Sequence, residues 1–300
     1  MSQGRNSSGG SRRNHRAYHY NNKNKVNVGD KGKEVLENIN ENSLVIKQFR
    51  AYAAELDSKH DRYERIVKLS RDVTIESKRI IFLLHTLDKE SKRDTVLGEA
   101  KIRLDAMVKT LFKNIAHELD GQDVYEYLRA YRAGVQEFVE AITFYQYLYD
   151  NCLQDWKDLD KSLVYSVVDK SKENEDDQPQ TRVICTPVIP YEYILGIADL
   201  TGELMRKCIN NLASGNISSC YQTCNFVRDM YKGFLGCVGA SGKEVNRKLY
   251  TLKQNLAKME NVCYTIRVRG SEIPKHMLAD VAIVATEEFA AEDDEGYQVY

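Results

Sequence analysis

From about residue 36 onward, apolar side chains recur every three or four positions, the period of an amphipathic helix rather than the alternation of a strand. The pattern predicts one or two long helices over 36–58 and 59–88. Helices over 93–119 and 122–153 follow, separated at Asp120-Gly121. The period resumes over 190–212, where Pro190 suits a first turn, and continues over about 217–235, 241–267 and 272–287. Gly270 stops the penultimate helix, and Ser271 caps the last with Pro274 inside its first turn. These elements make an all-α bundle of about seven helices, with no internal repeat of 20–50 residues. Val245, Leu249, Leu252, Leu256, Met259, Cys263 and Ile266 are spaced 4-3-4-3-4-3, an a/d seam over three heptads. Such a seam packs inside its own bundle or contributes to a subunit interface.

Two stretches break the helical period. Leu163 to Val168 and Val183-Ile184 are β-prone and flank a polar segment, 169–180, which reads as an exposed acidic loop closed by two short strands. The first 178 residues contain no proline, which suits long helices better than a many-turned β protein.

Charge sharpens the domain plan. The chain has 300 residues, 43 Lys+Arg against 44 Asp+Glu, and a net charge of −1, which excludes a uniformly basic nucleic-acid binder but not a local basic surface. Residues 1–33 hold eight basic side chains against Asp30 in a Ser/Gly/Asn-rich context, a composition that predicts a disordered basic arm with a nuclear-targeting role. At the other end, 288–300 is an acidic tail, so the folded domain is expected over 34–287. No apolar run approaches the roughly 20 residues of a membrane helix, and the polar start lacks a signal-peptide core. Seven cysteines without a CxxC pair read as reduced thiols packed as small hydrophobes.

The chemistry concentrates in four carboxylates. A surface helix normally sets an opposite charge three or four residues from each charge, as Asp61 before Arg65 and Glu76 before Arg79. Glu137 and Glu140 break this rule, with no basic residue within four positions. Asp199 and Glu203 lie in a largely apolar stretch where only Arg206 and Lys207 are near. Each pair puts two like charges on one helix face. Protonation, a buried Lys or Arg, or a hard divalent cation relieves such repulsion. Two helices with two inward carboxylates each are a usual way to build a Mg2+ or Mn2+ site in a bundle. No phosphate-binding glycine loop, nucleophile elbow or HExxH motif is present. The six histidines lack ligand spacing and read as capping or surface residues. Of the 19 tyrosines, six crowd 125–149, where they either pack against neighbouring helices or stack on bases.

Three segments closely resemble the translin superfamily: Leu56 to Arg65, Ala198 to Arg206, and Val268 to Asp280. The similarity runs from about residue 40 to 285 and fails in the arm, the 169–180 loop and the tail. It implies an all-α subunit that assembles with translin into a hollow hetero-octamer, the component 3 promoter of the RNA-induced silencing complex. It also implies a Mg2+-dependent endoribonuclease (Mn2+ being an alternative metal) that cleaves single-stranded RNA and removes nicked passenger strands. Single-stranded DNA is a further ligand, and cytoplasm and nucleus are the expected compartments. The family's acidic motif falls on Glu137, Glu140 and Asp199 as catalytic metal ligands, with Glu203 in support. Arg206 is the first candidate for an RNA phosphate. Lys68, Arg71, Lys78 and Arg79 share an arc and are weaker candidates, since Asp72 and Glu76 are interleaved. The competing class is a non-catalytic helical scaffold that binds nucleic acid or a partner.

Overall fold

A computed structural model describes residues 39–87, 90–168, 181–213, 215–237, 242–270, 272 and 277. The basic arm, the 169–180 loop, most of the 272–287 helix and the acidic tail therefore lie outside the described residues. Helix α1 is one unbroken rod, Leu44–His85, where the pattern allowed one or two. Among the described residues, those up to Asp57 and those from Ser58 onward fall in separate units. In the described part of the first, Glu41 pairs with Arg50, and Val45, Phe49, Tyr52 and Leu56 are exposed.

In the second unit the rest of α1 buries Ile66, Ser70, Val73, Ser77, Ile80, Ile81 and Leu84 on one face. A short 3-10 turn, Glu90–Lys92, leads into α2 (Arg93–Met107). A π-helical turn at Val108–Phe112 joins α2 to α3 (Lys113–Leu119), so the expected 93–119 helix is continuous but locally widened. Two side chains from the hairpin beyond satisfy carbonyls there: Tyr165 donates to the Val108 carbonyl at 2.7 Å and Thr186 to that of Phe112 at 2.8 Å.

Helix α4, Val124–Asp150, starts at Asp123, whose carboxylate accepts from the Tyr125 amide at 2.9 Å, and ends at Asn151 in the left-handed region, φ 58°. Helix α5, Trp156–Ser162, was not anticipated; its seven residues are too few to show a period, although Asp155 caps it. Strands β1 (Val164–Val168) and β2 (Thr181–Cys185) pair antiparallel, from Val164 opposite Cys185 to Val168 opposite Thr181, as the two β-prone stretches predicted. Helices α6 (Pro190–Ala213), α7 (Ile217–Cys237) and α8 (Lys243–Arg269) complete the bundle. No described helix is long and apolar enough to cross a membrane.

The heptad seam of α8 faces inward. Val245, Leu252, Leu256, Met259, Cys263 and Ile266 are buried in the core, and Leu249 packs against it. The interface reading of that seam is corrected, because its apolar surface is already removed from water by α6 and α7.

The most extensive interhelical contact is between α4 and α6. Glycine makes it close. A Cβ at Gly196 would stand 2.7 Å from Val139 on α4, and one at Gly134 would stand 2.7 Å from the Ser70 hydroxyl on α1. Helix α4 thus lies tightly against both neighbours, and the residues one turn beyond each glycine are drawn into the same space.

Candidate carboxylate site

That close approach brings together the four acids singled out in the sequence. Glu137 and Glu140 project from α4, Asp199 and Glu203 from α6. Burial is the main cause that pushes the Glu140 carboxyl up to about 8, and the charges of Asp199, Glu137 and Glu203 push the same way, against Lys248. A group that feels all three of the others marks one shared site rather than two separate helix edges. No described residue forms an ion pair with Glu140.

The other three acids each have a basic side chain from elsewhere in the fold. Lys78 on α1 lies 3.1 Å from Glu137. His85, at the end of α1, places Nε2 2.5 Å from Glu203 Oε2. Its hydrogen bond is the main cause that holds the Glu203 carboxyl below the usual carboxylate range, with Arg206 at 3.9 Å adding to the effect. Lys248 on α8 donates to Asp199 at 2.5 Å, to the Leu195 carbonyl at 3.2 Å and to Gln136 Oε1 at 3.3 Å. Gln136 in turn donates to Glu192, the one buried carboxylate among the described residues.

Glu137 and Glu140 have no base within four positions along α4, and only Arg206 and Lys207 lie near Asp199 and Glu203 on α6, yet basic side chains from other helices reach three of these acids in space. The histidine expectation also needs correction. The His85 side chain is only 6% exposed, its ring centroid lies 4.9 Å from that of Phe144, and its Nδ1 is buried with no hydrogen-bond partner among the described residues. Both missed residues left a signal in the helical period. His85 falls four residues after Ile81 and eight after Ser77, on the buried face of α1. Lys248 falls three after Val245 and four before Leu252, on the seam side of α8.

The RNA-contact candidates divide. Arg206 is exposed beside Glu203, at the edge of the carboxylate site. Lys78 belongs to the site through Glu137. Arg79 pairs with Glu76 at 3.4 Å, and Glu76 also takes Arg103 at 2.7 Å, so the interleaved acid is engaged as its spacing suggested. Lys68 and Arg71 are exposed farther along α1. Of the crowded tyrosines, Tyr127, Tyr131 and Tyr147 are core residues, whereas Tyr125 and Tyr149 are exposed and Tyr149 stacks on Tyr145 at 5.9 Å.

The donor set, four hard carboxylate groups, suits Mg2+ or Mn2+ by its chemistry. Glu140 gives the most specific sign of fit: burial and three neighbouring acids raise its carboxyl, and the nearby charge of Lys248 does not offset them. The acids do not yet converge on one point. Among the described residues, no three Asp, Glu, His or Cys side chains are gathered closely enough to cage a metal. Three of them are engaged instead by Lys78, His85 and Lys248.

An all-α bundle with a partly buried carboxylate site between two glycine-packed helices is the class of protein that fold and site define. The chain belongs to the translin family, whose pattern matches residues 61–270. It is 45% identical over 257 residues to the Translin-associated protein X of Pongo abelii, covering 84% of this chain and 88% of that protein. The Mus musculus protein of the same name is 44% identical over 82% of this chain and 86% of its own length. The Schizosaccharomyces pombe homolog is 27% identical over 75% and 90%. Among solved structures, apo-NeC3PO matches with a TM-score of 0.53 at 20% identity, over 71% of this chain and 93% of that one. AfC3PO matches with 0.51 at 19% identity, over 80% and 98%. Both share the fold.

Proposed function

We propose that this chain is the catalytic subunit of a translin-type assembly, a divalent-metal-dependent endoribonuclease acting on single-stranded RNA. The observation that carries the reading is the gathering of Glu137, Glu140, Asp199 and Glu203 at the α4–α6 contact, registered in the raised proton affinity of Glu140. Four acids packed against apolar helices cost stability unless they serve a cation. Bound there, Mg2+ (or Mn2+) supplies Lewis-acid activation of a phosphodiester and of the attacking water. Glu137, Glu140 and Asp199 hold it, and Glu203 supports them with its orientation set by His85. Arg206 at the rim binds a backbone phosphate and positions the strand.

Translin is the partner this reading expects, in a hetero-octamer, with removal of nicked passenger strands in the cytoplasm and nucleus as the biological task. AfC3PO, one of the proteins that share the fold, has been solved with duplex RNA, which supports RNA as the ligand class. Single-stranded DNA is a weaker expected ligand.

One observation favours a second reading, a non-catalytic scaffold: Lys78, His85 and Lys248 already meet three of the four acids. The deciding experiment is cleavage of labelled single-stranded and duplex RNA by the purified chain, alone and with translin. Cleavage that requires Mg2+, stops with chelator and is lost in Asp199→Ala supports the nuclease. RNA binding without cleavage in any metal supports the scaffold.

A further inference from the structure

Lys248 has a role that an ordinary surface lysine does not. Its side chain is 15% exposed, and its three N–H donors meet three acceptors from two helices: Asp199 and the Leu195 carbonyl on α6, and Gln136 on α4. With every donor used, the ammonium has none left for an RNA phosphate. It occupies Asp199 Oδ2, an oxygen that a divalent cation in this site needs. A dication bound to the same carboxylate would stand within a few ångströms of the ammonium, where like charges repel strongly. Lysine is suited to such a post: a compact charge on a flexible four-carbon stem can leave without disturbing the helix that carries it. Asp199 itself is 40% exposed, so the pair opens toward solvent.

We propose that Lys248 is a tethered competitor for the cation: its ammonium stabilises the metal-free carboxylate site, and a divalent metal binds by displacing it from Asp199. This rests on the metal-site reading above and adds to it a residue that sets how much metal the site requires. Removing the charge destabilises the metal-free protein, because Asp199 loses its ion-pair partner and Glu140 a nearby positive charge. The same change tightens metal binding.

The test uses the full chain, together with translin if the two must be co-purified, and Mn2+ alone as the probe. Binding is followed by the loss of the free-ion paramagnetic resonance signal and by calorimetry. Lys248→Gln should bind Mn2+ about tenfold more tightly than the parent, and its metal-free Tm should fall by about 2–4 °C and recover with Mn2+. Lys248→Arg, which keeps the charge, should bind no more tightly than the parent. If Lys248→Gln does not fold without metal, recovery of folding on adding Mn2+ supports the proposal and failure to recover overturns it. Unchanged or weaker Mn2+ binding in Lys248→Gln, with normal binding in the parent, overturns the proposal and leaves the metal site standing. Absence of Mn2+ binding in parent and variant alike overturns the metal site and this inference with it.

Discussion

Helix α6 contributes to two clusters of chemically alike side chains. Asp199 and Glu203 meet Glu137 and Glu140 of α4, and further along α6 Cys208 meets Cys220 of α7 and Cys263 of α8, with Cys224 joined through Cys263. The thiols are held mainly by one another, with Arg228 reaching the Cys224 sulfur at 3.8 Å. Hydrogen bonds among them, backed by burial, hold Cys208 and Cys224 above the usual thiol range, so those thiols stay neutral in a core where they are almost fully covered. The carboxylates are less covered, and three of the four are met by Lys78, His85 and Lys248. Clusters of like groups are cheap where the group is neutral and small. Where the group is charged, a cluster marks a place kept for something other than packing.

The comparison breaks most visibly in activity. Glu137→Ala, Glu140→Ala and Asp199→Ala should each reduce Mg2+-dependent RNA cleavage on the order of 100-fold or more, with assembly and RNA binding retained. Cys220→Ala, in the buried thiol cluster, should cleave normally. Full activity in Glu137→Ala would remove the functional half of the contrast.

In stability the order reverses. Cys220→Ala should cost about 1–2 kcal/mol in urea unfolding, since it opens a small cavity in a buried cluster. Glu140→Gln in chelator should be neutral or stabilising, because it deletes a charge from a repelling set.

That gain depends on pH. Between the ordinary carboxylate range and about 8, folded Glu140 keeps a proton that the unfolded chain has lost. The parent's stability from this group is therefore full below the ordinary range and drains away as pH rises toward 8. Glu140→Gln should match the parent near pH 4 and exceed it above pH 8, by about 2–4 kcal/mol at most. Parallel curves across that window would show that Glu140 is not held among the other acids.

The smallest effect is expected at the rim. Arg206→Ala should lower the slope of log binding constant against log salt for single-stranded RNA by about 0.7, the loss of one phosphate contact. An unchanged slope in filter binding would place the strand elsewhere.

Much of this was readable from residue order alone. The period of three to four marked nearly every long helix, because each buries a continuous stripe. The hairpin was visible in its β-prone flanks. The acids stood out because a helix shows its own i±3 and i±4 neighbours, and those of Glu137 and Glu140 contain no base. Helix α5 stayed hidden because two turns carry too little period, and the π-turn at Val108 because its extra residue is satisfied by Tyr165 and Thr186, dozens of positions away.

Which acids share one site was decided by tertiary structure, through the contact of Gly196 with Val139 that lets α6 close on α4. So was the identity of their basic partners. Lys248 is 49 residues from Asp199 and His85 is 118 from Glu203. Electrostatic attraction depends on distance in space, and no pattern along the chain encodes it. Periodicity determined by itself which residues turn inward; only packing decided what each would meet there.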